Sequence, residues 1–110
     1  MQIQINTDNH IKVHKEFATQ INGVVESALN RMSDHITRVE IHLSDENGDK
    51  SGQNDKRCVM EARLEGRQPI AVTHNAATVD QAVNGAADKL VRLIESTLER
   101  QKDQKSQSHE

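Results

Sequence analysis

Histidine and cysteine are the residues of this chain whose side chains are best suited to catalysis or metal binding. The chain has six histidines and one cysteine, Cys58. His10 and His14 are four residues apart but flank turn-forming residues, and no CxxC, HExxH or HxH spacing occurs. We therefore interpret the histidines as solvated or turn residues, and we expect no metal site and no cofactor.

The context of Cys58 argues against a nucleophile. Cys58 alternates with polar residues and shares its face with Met60 and Leu64, where a free cysteine behaves as a small hydrophobic residue. The loop around Gly48 and Gly52 lacks both a phosphate-binding glycine pattern and EF-hand spacing. The sequence therefore predicts a protein that is not an enzyme. A thiol or metal enzyme is the third hypothesis, with only Cys58 and scattered histidines in its favour.

Composition and charge exclude further classes of function. The chain has 110 residues, with 14 Lys and Arg against 17 Asp and Glu, and Phe17 is its only aromatic residue of the Phe, Trp and Tyr type. Base stacking on aromatic platforms is therefore close to excluded, whereas a local basic patch stays open. No transmembrane segment or signal peptide can be drawn, and a single cysteine forms no internal disulfide. We expect a soluble, cytoplasmic protein.

Hydrophobic periodicity predicts the elements of the first half of the chain. Apolar residues alternate with polar ones over 1–5 and again over 38–43, which is typical of strands with one buried face. Between them, apolar residues recur every three or four positions from about Lys15 to Met32, which predicts a helix. Gly23 lies in the middle of this helix, where glycine costs about 1 kcal/mol relative to alanine.

The second half is predicted in the same way. The polar stretch Ser44–Lys56 is expected to form an exposed hairpin loop, followed by strands over 57–64 and 69–73. A helix is predicted from about Val79 to Gln101. The remaining residues, 102–110, contain no apolar side chain and are expected to be a disordered polar tail after a single domain spanning 1–101.

The resulting order, β-α-β-β-β-α, predicts the fold class. A strand–helix–strand unit usually places its two strands in parallel, and hairpins place theirs antiparallel. We therefore predict an α+β, two-layer domain with a four-stranded mixed sheet and both helices on one face. On composition alone, the charged residues of the last helix are interpreted as a salt-bridged exterior.

Three segments resemble a known family. These are the opening Met1–Asn6 before the first helix, the junction Ser33–Ile36 into a strand, and Asp88–Arg92 on the last helix. Together they resemble the ribosome hibernation promoting factor family, which includes the ribosome-associated inhibitor A proteins and was once called the sigma-factor modulation family. The resemblance covers about residues 1–102, and the chain is similar to a short, divergent member.

The resemblance implies a function. Family members regulate translation under stress by binding the small ribosomal subunit, in the channel used by messenger and transfer RNA, through basic residues on the two helices that meet ribosomal RNA. Lys89 and Arg92 match the family's basic positions on the last helix. Arg31, Arg100 and Lys102 are lesser candidates for RNA contacts.

The chain also departs from the family, whose helices are often strongly basic. Its net charge is −3. Neutral or acidic residues replace the expected lysines of the first helix, at Gly23, Glu26, Ser27 and Asn30. Loss of a few phosphate contacts weakens RNA binding by about one to two decades at physiological salt.

The alternative hypothesis is a protein-interaction module of the same fold, a homodimer included, with ribosome binding lost. The sheet edge 69–73 or the loop 44–56 would then contact its partner.

Overall fold

The computed structural model describes residues 1–8, 11, 14–46 and 55–108, with side chains described up to residue 100. The predicted order of elements is confirmed. The elements are β1 (Gln2–Thr7), α1 (Lys15–Leu29), a 3₁₀ helix (Asn30–His35), β2 (Ile36–Asp45), β3 (Lys56–Leu64), β4 (Ile70–Ala76) and α2 (Val79–Ser108). None of the described helices is long and apolar enough to cross a membrane.

The four strands form one mixed sheet in the order β1-β2-β3-β4. β1 is parallel to β2, and β3 is antiparallel to both β2 and β4. The register pairs Ile5 with Ile41, and Ile41 with Met60, so that apolar side chains of neighbouring strands share the inner face. The predicted α+β class and mixed sheet are therefore confirmed.

The hydrophobic core lies between the inner face of the sheet and the two helices. α1 buries Ile21, Val25 and Leu29, and α2 buries a longer stripe that includes Leu90 and Ile94. Each fully buried aliphatic side chain of this size stabilises the fold by about 1.5–3 kcal/mol. The apolar stripes predicted from the hydrophobic periodicity of the two helices are the ones that pack against the sheet.

The first helix ends earlier than predicted. α1 stops at Leu29, and a 3₁₀ helix continues to His35, where periodicity predicted one α-helix to Met32. Asn30, Ser33 and Asp34 in this segment are residue types with low α-helix propensity. The tighter 3₁₀ winding still keeps Met32 buried, so the apolar pattern alone does not distinguish the two helix types.

The predicted loop Ser44–Lys56 is wrong at both ends. β2 runs to Asp45 and β3 begins at Lys56, and these two residues face each other in the ladder. The Lys56 ammonium lies 3.1 Å from a carboxylate oxygen of Asp45 and 3.2 Å from one of Asp55. Because this cation neutralises both carboxylates, Asp55 is buried although it is charged. Residues 47–54 of the predicted loop lie outside the described residues.

The fourth strand is longer than its predicted range, 69–73. It spans Ile70–Ala76, because β4 continues its antiparallel pairing with β3 through Asn75 and Ala76. Gly66, whose φ of +72° is in the left-handed region that favours glycine, lies in the turn before it. β4 is an edge strand of the sheet.

The last helix extends past its predicted end. The Thr78 hydroxyl accepts a hydrogen bond of 3.1 Å from the backbone N–H of Gln81, as its capping spacing predicts. The backbone remains helical past Gln101 to Ser108 because residues 101–108 include several good helix formers and no Gly or Pro. The boundary between domain and tail at residue 102 stays a prediction, and residues 109–110 lie outside the described residues.

Candidate nucleic-acid interface

Three of the predicted RNA-binding residues lie on one flank of α2, within a sector of about 80°. Lys89 marks this flank, because its ammonium donates a 2.9 Å hydrogen bond to the backbone carbonyl of Thr73. Arg92 and Arg100 fall within about 80° of Lys89 around the helix axis, at about 100° per residue. We call Lys89, Arg92 and Arg100 the basic row. Both arginines are exposed, and no hydrogen bond or ion pair joins either to another described residue.

Acidic residues occupy the adjoining part of the α2 surface, toward α1. Asp88 lines the groove between the two helices, and Glu95 lies 2.7 Å from Arg31 of the 3₁₀ helix. Glu99 follows Glu95 by one helical turn. We call Asp88, Glu95 and Glu99 the acidic row. At about 100° per residue, Arg92 lies about 20° from Glu99 and about 40° from Asp88 around the helix axis, so the two rows meet at Arg92. No ion pair forms within this helix up to residue 100, in contrast to the salt-bridged exterior expected from composition.

The structure separates Arg31 from the basic row. Its guanidinium pairs with Glu95, and the two side chains are 77% and 43% exposed. Exposed ion pairs of this kind contribute about 0–1 kcal/mol. A phosphate can therefore compete with Glu95 for the Arg31 guanidinium, but an RNA that also contacts the basic row would have to pass over the acidic row. The side chain of Lys102 lies outside the described residues.

The helical face as a whole is acidic. Residues 15–35 and 79–100 contain five Lys or Arg residues and seven Asp or Glu residues, which gives a net charge of −2. A net negative charge on this face weakens the binding of a polyanion except where basic residues are grouped. The basic row is such a group, so it is the best candidate on this face for an electrostatic RNA contact.

The outer face of the sheet carries charges that are already paired. Arg38 contacts both Glu40 and Gln4, and the Nε atom of Arg63 lies 3.6 Å from a carboxylate oxygen of Glu61. These residues alternate in sign along β2 and β3. The outer face therefore offers a phosphate backbone less uncompensated positive charge than the basic row does.

The fold also brings together a cysteine and a histidine that are distant in sequence. His74 on β4 is directly opposite Cys58 on β3, and a Cβ atom at Gly85 of α2 would overlap its imidazole ring. His74 is thus half-buried against α2, so it is solvated only in part. Antiparallel register, which residue spacing does not reveal, creates this pair.

The Cys58–His74 pair does not form a nucleophilic site. Cys58 is fully buried, and burial raises the pKa of its thiol to about 12. It is therefore protonated at neutral pH, whereas attack requires the thiolate. In the described part of the chain, no group of three or more His, Cys, Asp or Glu residues is placed to hold a metal ion.

Comparison with known proteins assigns the chain to a family. The profile of the family described as "Sigma 54 modulation protein / S30EA ribosomal protein" matches residues 3–102. The chain belongs to this family. It is a family of ribosome-associated modulation factors, so the resemblance seen in the three sequence segments is confirmed. No curated protein matches the chain with significance.

Two solved structures share the fold. One is the N-terminal domain of Protein Y from Thermus thermophilus, with a TM-score of 0.70 and 16% identity, covering 88% of this chain and 99% of that one. The other is a ribosomal subunit interface protein from Coxiella burnetii, with a TM-score of 0.68 and 16% identity, covering 88% and 97%. At this identity the likeness establishes the architecture of the S30EA-family domain.

Proposed function

We propose that this S30EA-family protein is a translation inhibitor of the hibernation type, which binds ribosomal RNA of the small ribosomal subunit through the basic row of α2. Family membership supports the ribosome as target. The observation that carries the proposal is the placement of Lys89, Arg92 and Arg100 on one flank, with both guanidinium groups exposed and without a described partner. The protein acts in the cytoplasm, where ribosomes are, and under stress.

Phosphate recognition by this row follows from guanidinium chemistry. Each exposed arginine presents a planar fork of donors that matches two phosphate oxygens, and Lys89 adds a point charge beside them. Such contacts need no base stacking, in agreement with the absence of Trp and Tyr and the single Phe, Phe17. Three phosphate contacts imply that affinity falls by about 20- to 40-fold between about 50 and 200 mM salt.

The direct test is co-sedimentation of the full chain with ribosomes on sucrose gradients at about 50 and 200 mM salt. We expect association with the small subunit that weakens with salt, and its loss in the double variant Arg92→Glu/Arg100→Glu. A Lys89→Glu/Arg92→Glu variant is expected to fold and to lose association as well. Retention of binding by both double variants would remove the basic row from the interface.

Arg31→Ala is the matched control for Arg92→Ala, because each variant removes one positive charge from the helical face, and Arg31 lies across the acidic row. We expect its salt-dependent binding to stay within about twofold of the wild type. If Arg31→Ala is as damaging as Arg92→Ala, RNA spans both helices and the one-flank interface is wrong.

A second candidate function is a protein-interaction module of the same fold, including a homodimer. The net charge of −2 on the helical face favours it. Pairing at the β4 edge is opposed by Lys89, whose ammonium occupies the Thr73 carbonyl. No association of the wild type with ribosomes at either salt concentration would favour this candidate over the first.

A further inference from the structure

Gly23 lies in the middle of α1, at a position where the described structure does not require glycine. A Cβ atom built on Gly23 meets no atom within 4 Å, and its backbone is not in the left-handed region. Glycine inside a helix costs about 0.5–1 kcal/mol relative to alanine. Neither internal packing nor backbone conformation accounts for this residue. The absence of a side chain at Gly23 leaves open the surface that this position faces.

That surface is a groove of about 580 Å³ between α1 and α2. Gly23, Ala28 and Ala87 contribute little or no side chain to it, which keeps the groove open. The volume lies within the range of about 300–1,000 Å³ that ligand sites occupy. The groove is therefore large enough to hold several side chains of a partner, with backbone able to approach α1 closely at Gly23.

The polar atoms of the groove are rich in hydrogen-bond acceptors. The amide nitrogen of Asn84 donates to the Asp80 carbonyl of its own helix at 2.8 Å, which leaves its Oδ1 as an acceptor. The Asp88 carboxylate makes no hydrogen bond or ion pair with any described residue. Ser27 lines both the groove and an adjoining depression bordered by Glu26. A donor-rich, positively charged partner complements these oxygens.

No Lys or Arg is among the described residues that line the groove or the adjoining depression. A nucleic-acid backbone placed there would bring phosphates against Asp88 and Glu26 without a neutralising cation, which is unfavourable. Within the basic row, Lys89 and Arg100 lie about 100–120° from Asp88 around the axis of α2, and Arg92 lies about 40° from it. The side chains that line the groove are therefore suited to a cationic partner, whereas the adjoining basic row is suited to an anion.

We propose that the groove between α1 and α2 binds an extended, Lys/Arg-rich segment of a partner protein, whose backbone passes over Gly23 and whose cationic side chains pair with Asp88 and Glu26. This inference goes beyond the RNA contact of the basic row and does not depend on it. It gives two adjoining surfaces of α2 different partners, one polyanionic and one polycationic.

The test uses the full, ¹⁵N-labelled chain titrated with a short capped peptide of alternating Arg and Ser, followed by amide chemical shifts. We expect saturable shifts at Gly23, Ser27, Asn84 and Asp88. Gly23→Leu fills the groove without changing any charge, and we expect it to weaken peptide binding by about tenfold or more. Gly23→Ala is the control with a small side chain at the same position, and we expect it to retain most of the binding.

Charge is tested by a second pair of variants. Asp88→Asn removes a carboxylate from the groove, and we expect peptide affinity to fall about threefold or more. Asp34→Asn removes an equal charge from an exposed site on the 3₁₀ helix that does not line the groove, so a smaller effect is expected. A peptide of alternating Glu and Ser should not shift the groove amides.

Several results would overturn the proposal. Among them are equal peptide affinity for Gly23→Leu and the wild type, shifts that scatter over the acidic surface, and no binding at millimolar peptide. Shifts of the groove amides by an oligoribonucleotide instead of the peptide would also reject it in favour of RNA. The peptide titration contains no ribosome, so its failure is distinguishable from failure of the proposed ribosome contact.

Discussion

The ionisation of two neighbouring residues of β3 depends on the fold. Hydrogen bonds from Lys56 to Asp45 and Asp55 raise the pKa of the Lys56 ammonium above its ordinary value, and burial raises the pKa of the Cys58 thiol to about 12. In both cases the folded state holds its proton more tightly than the unfolded state does. Their stabilising contribution is therefore complete below the unfolded pKa and is lost as pH rises.

We predict that the protein is destabilised at alkaline pH, beginning near pH 9, where an unfolded thiol starts to ionise. Cys58 alone lowers the free energy of unfolding by about 1.4 kcal/mol for each pH unit between about 9 and 12. Urea denaturation followed by circular dichroism measures this slope, and the chain has no Tyr to titrate in the same range. Cys58→Ala should flatten the slope, and an unchanged slope in that variant would contradict the prediction.

We predict that Cys58 is unreactive in the folded protein. With a pKa of about 12, its thiolate fraction at pH 8 is about a thousandfold lower than that of an ordinary cysteine. Alkylation by iodoacetamide should therefore be slower by at least that factor in buffer than in concentrated urea. Labelling at similar rates in both solutions would show that Cys58 is accessible and would reopen the hypothesis of a thiol enzyme.

At the scale of elements, the two helices contain glycines with opposite structural roles. Gly23 of α1 has open space around it, whereas Gly85 of α2 lies against the imidazole ring of His74. A side chain at position 85 would force either that ring or the helix to move away from β4. The close approach of α2 to this edge strand therefore depends on Gly85.

We predict opposite effects of alanine at these two positions. Gly23→Ala should stabilise the fold by about 0.5–1 kcal/mol through helix propensity. Gly85→Ala should destabilise it by about 1–3 kcal/mol, because overpacking displaces the His74 ring. Urea denaturation of both variants gives the comparison, and His74→Ala should recover much of the stability lost in Gly85→Ala. Stabilisation by both alanine substitutions would mean that His74 moves aside freely.

Most of the elements could be predicted because each strand and helix has an apolar face with its own period. Prediction failed where polar residues lie inside an element. His74 belongs to β4 because the pairing of β4 with β3 continues past Thr73. Lys56 lies at the start of β3, where its ammonium neutralises the carboxylates of Asp45 and Asp55. Both errors concern contacts between elements, and the hydrophobic periodicity of a single segment does not reveal such contacts.

The candidate site was predicted only in part, for a related reason. Lys89 and Arg92 follow from the resemblance to the family, but the flank on which they lie depends on how α2 packs against β4. The same packing places Asp88 beside α1 and leaves Arg31 with Glu95. Which element each charged side chain of α2 faces is a property of the assembled domain, so a list of charged residues does not reveal it.

At the scale of the whole molecule, the length of α2 changes how the protein moves through solution. The molecule measures 59 × 25 × 19 Å, and its radius of gyration of 15.6 Å exceeds the value of about 13 Å for a compact domain of this length. Such an elongated particle experiences more friction than a sphere of equal mass. We expect it to elute early from a gel-filtration column, like a heavier globular protein, while light scattering on the same peak gives the monomer mass of 12.3 kDa. Elution volume alone would therefore mimic a dimer, and only the scattering mass distinguishes a rod-like monomer from a true pair.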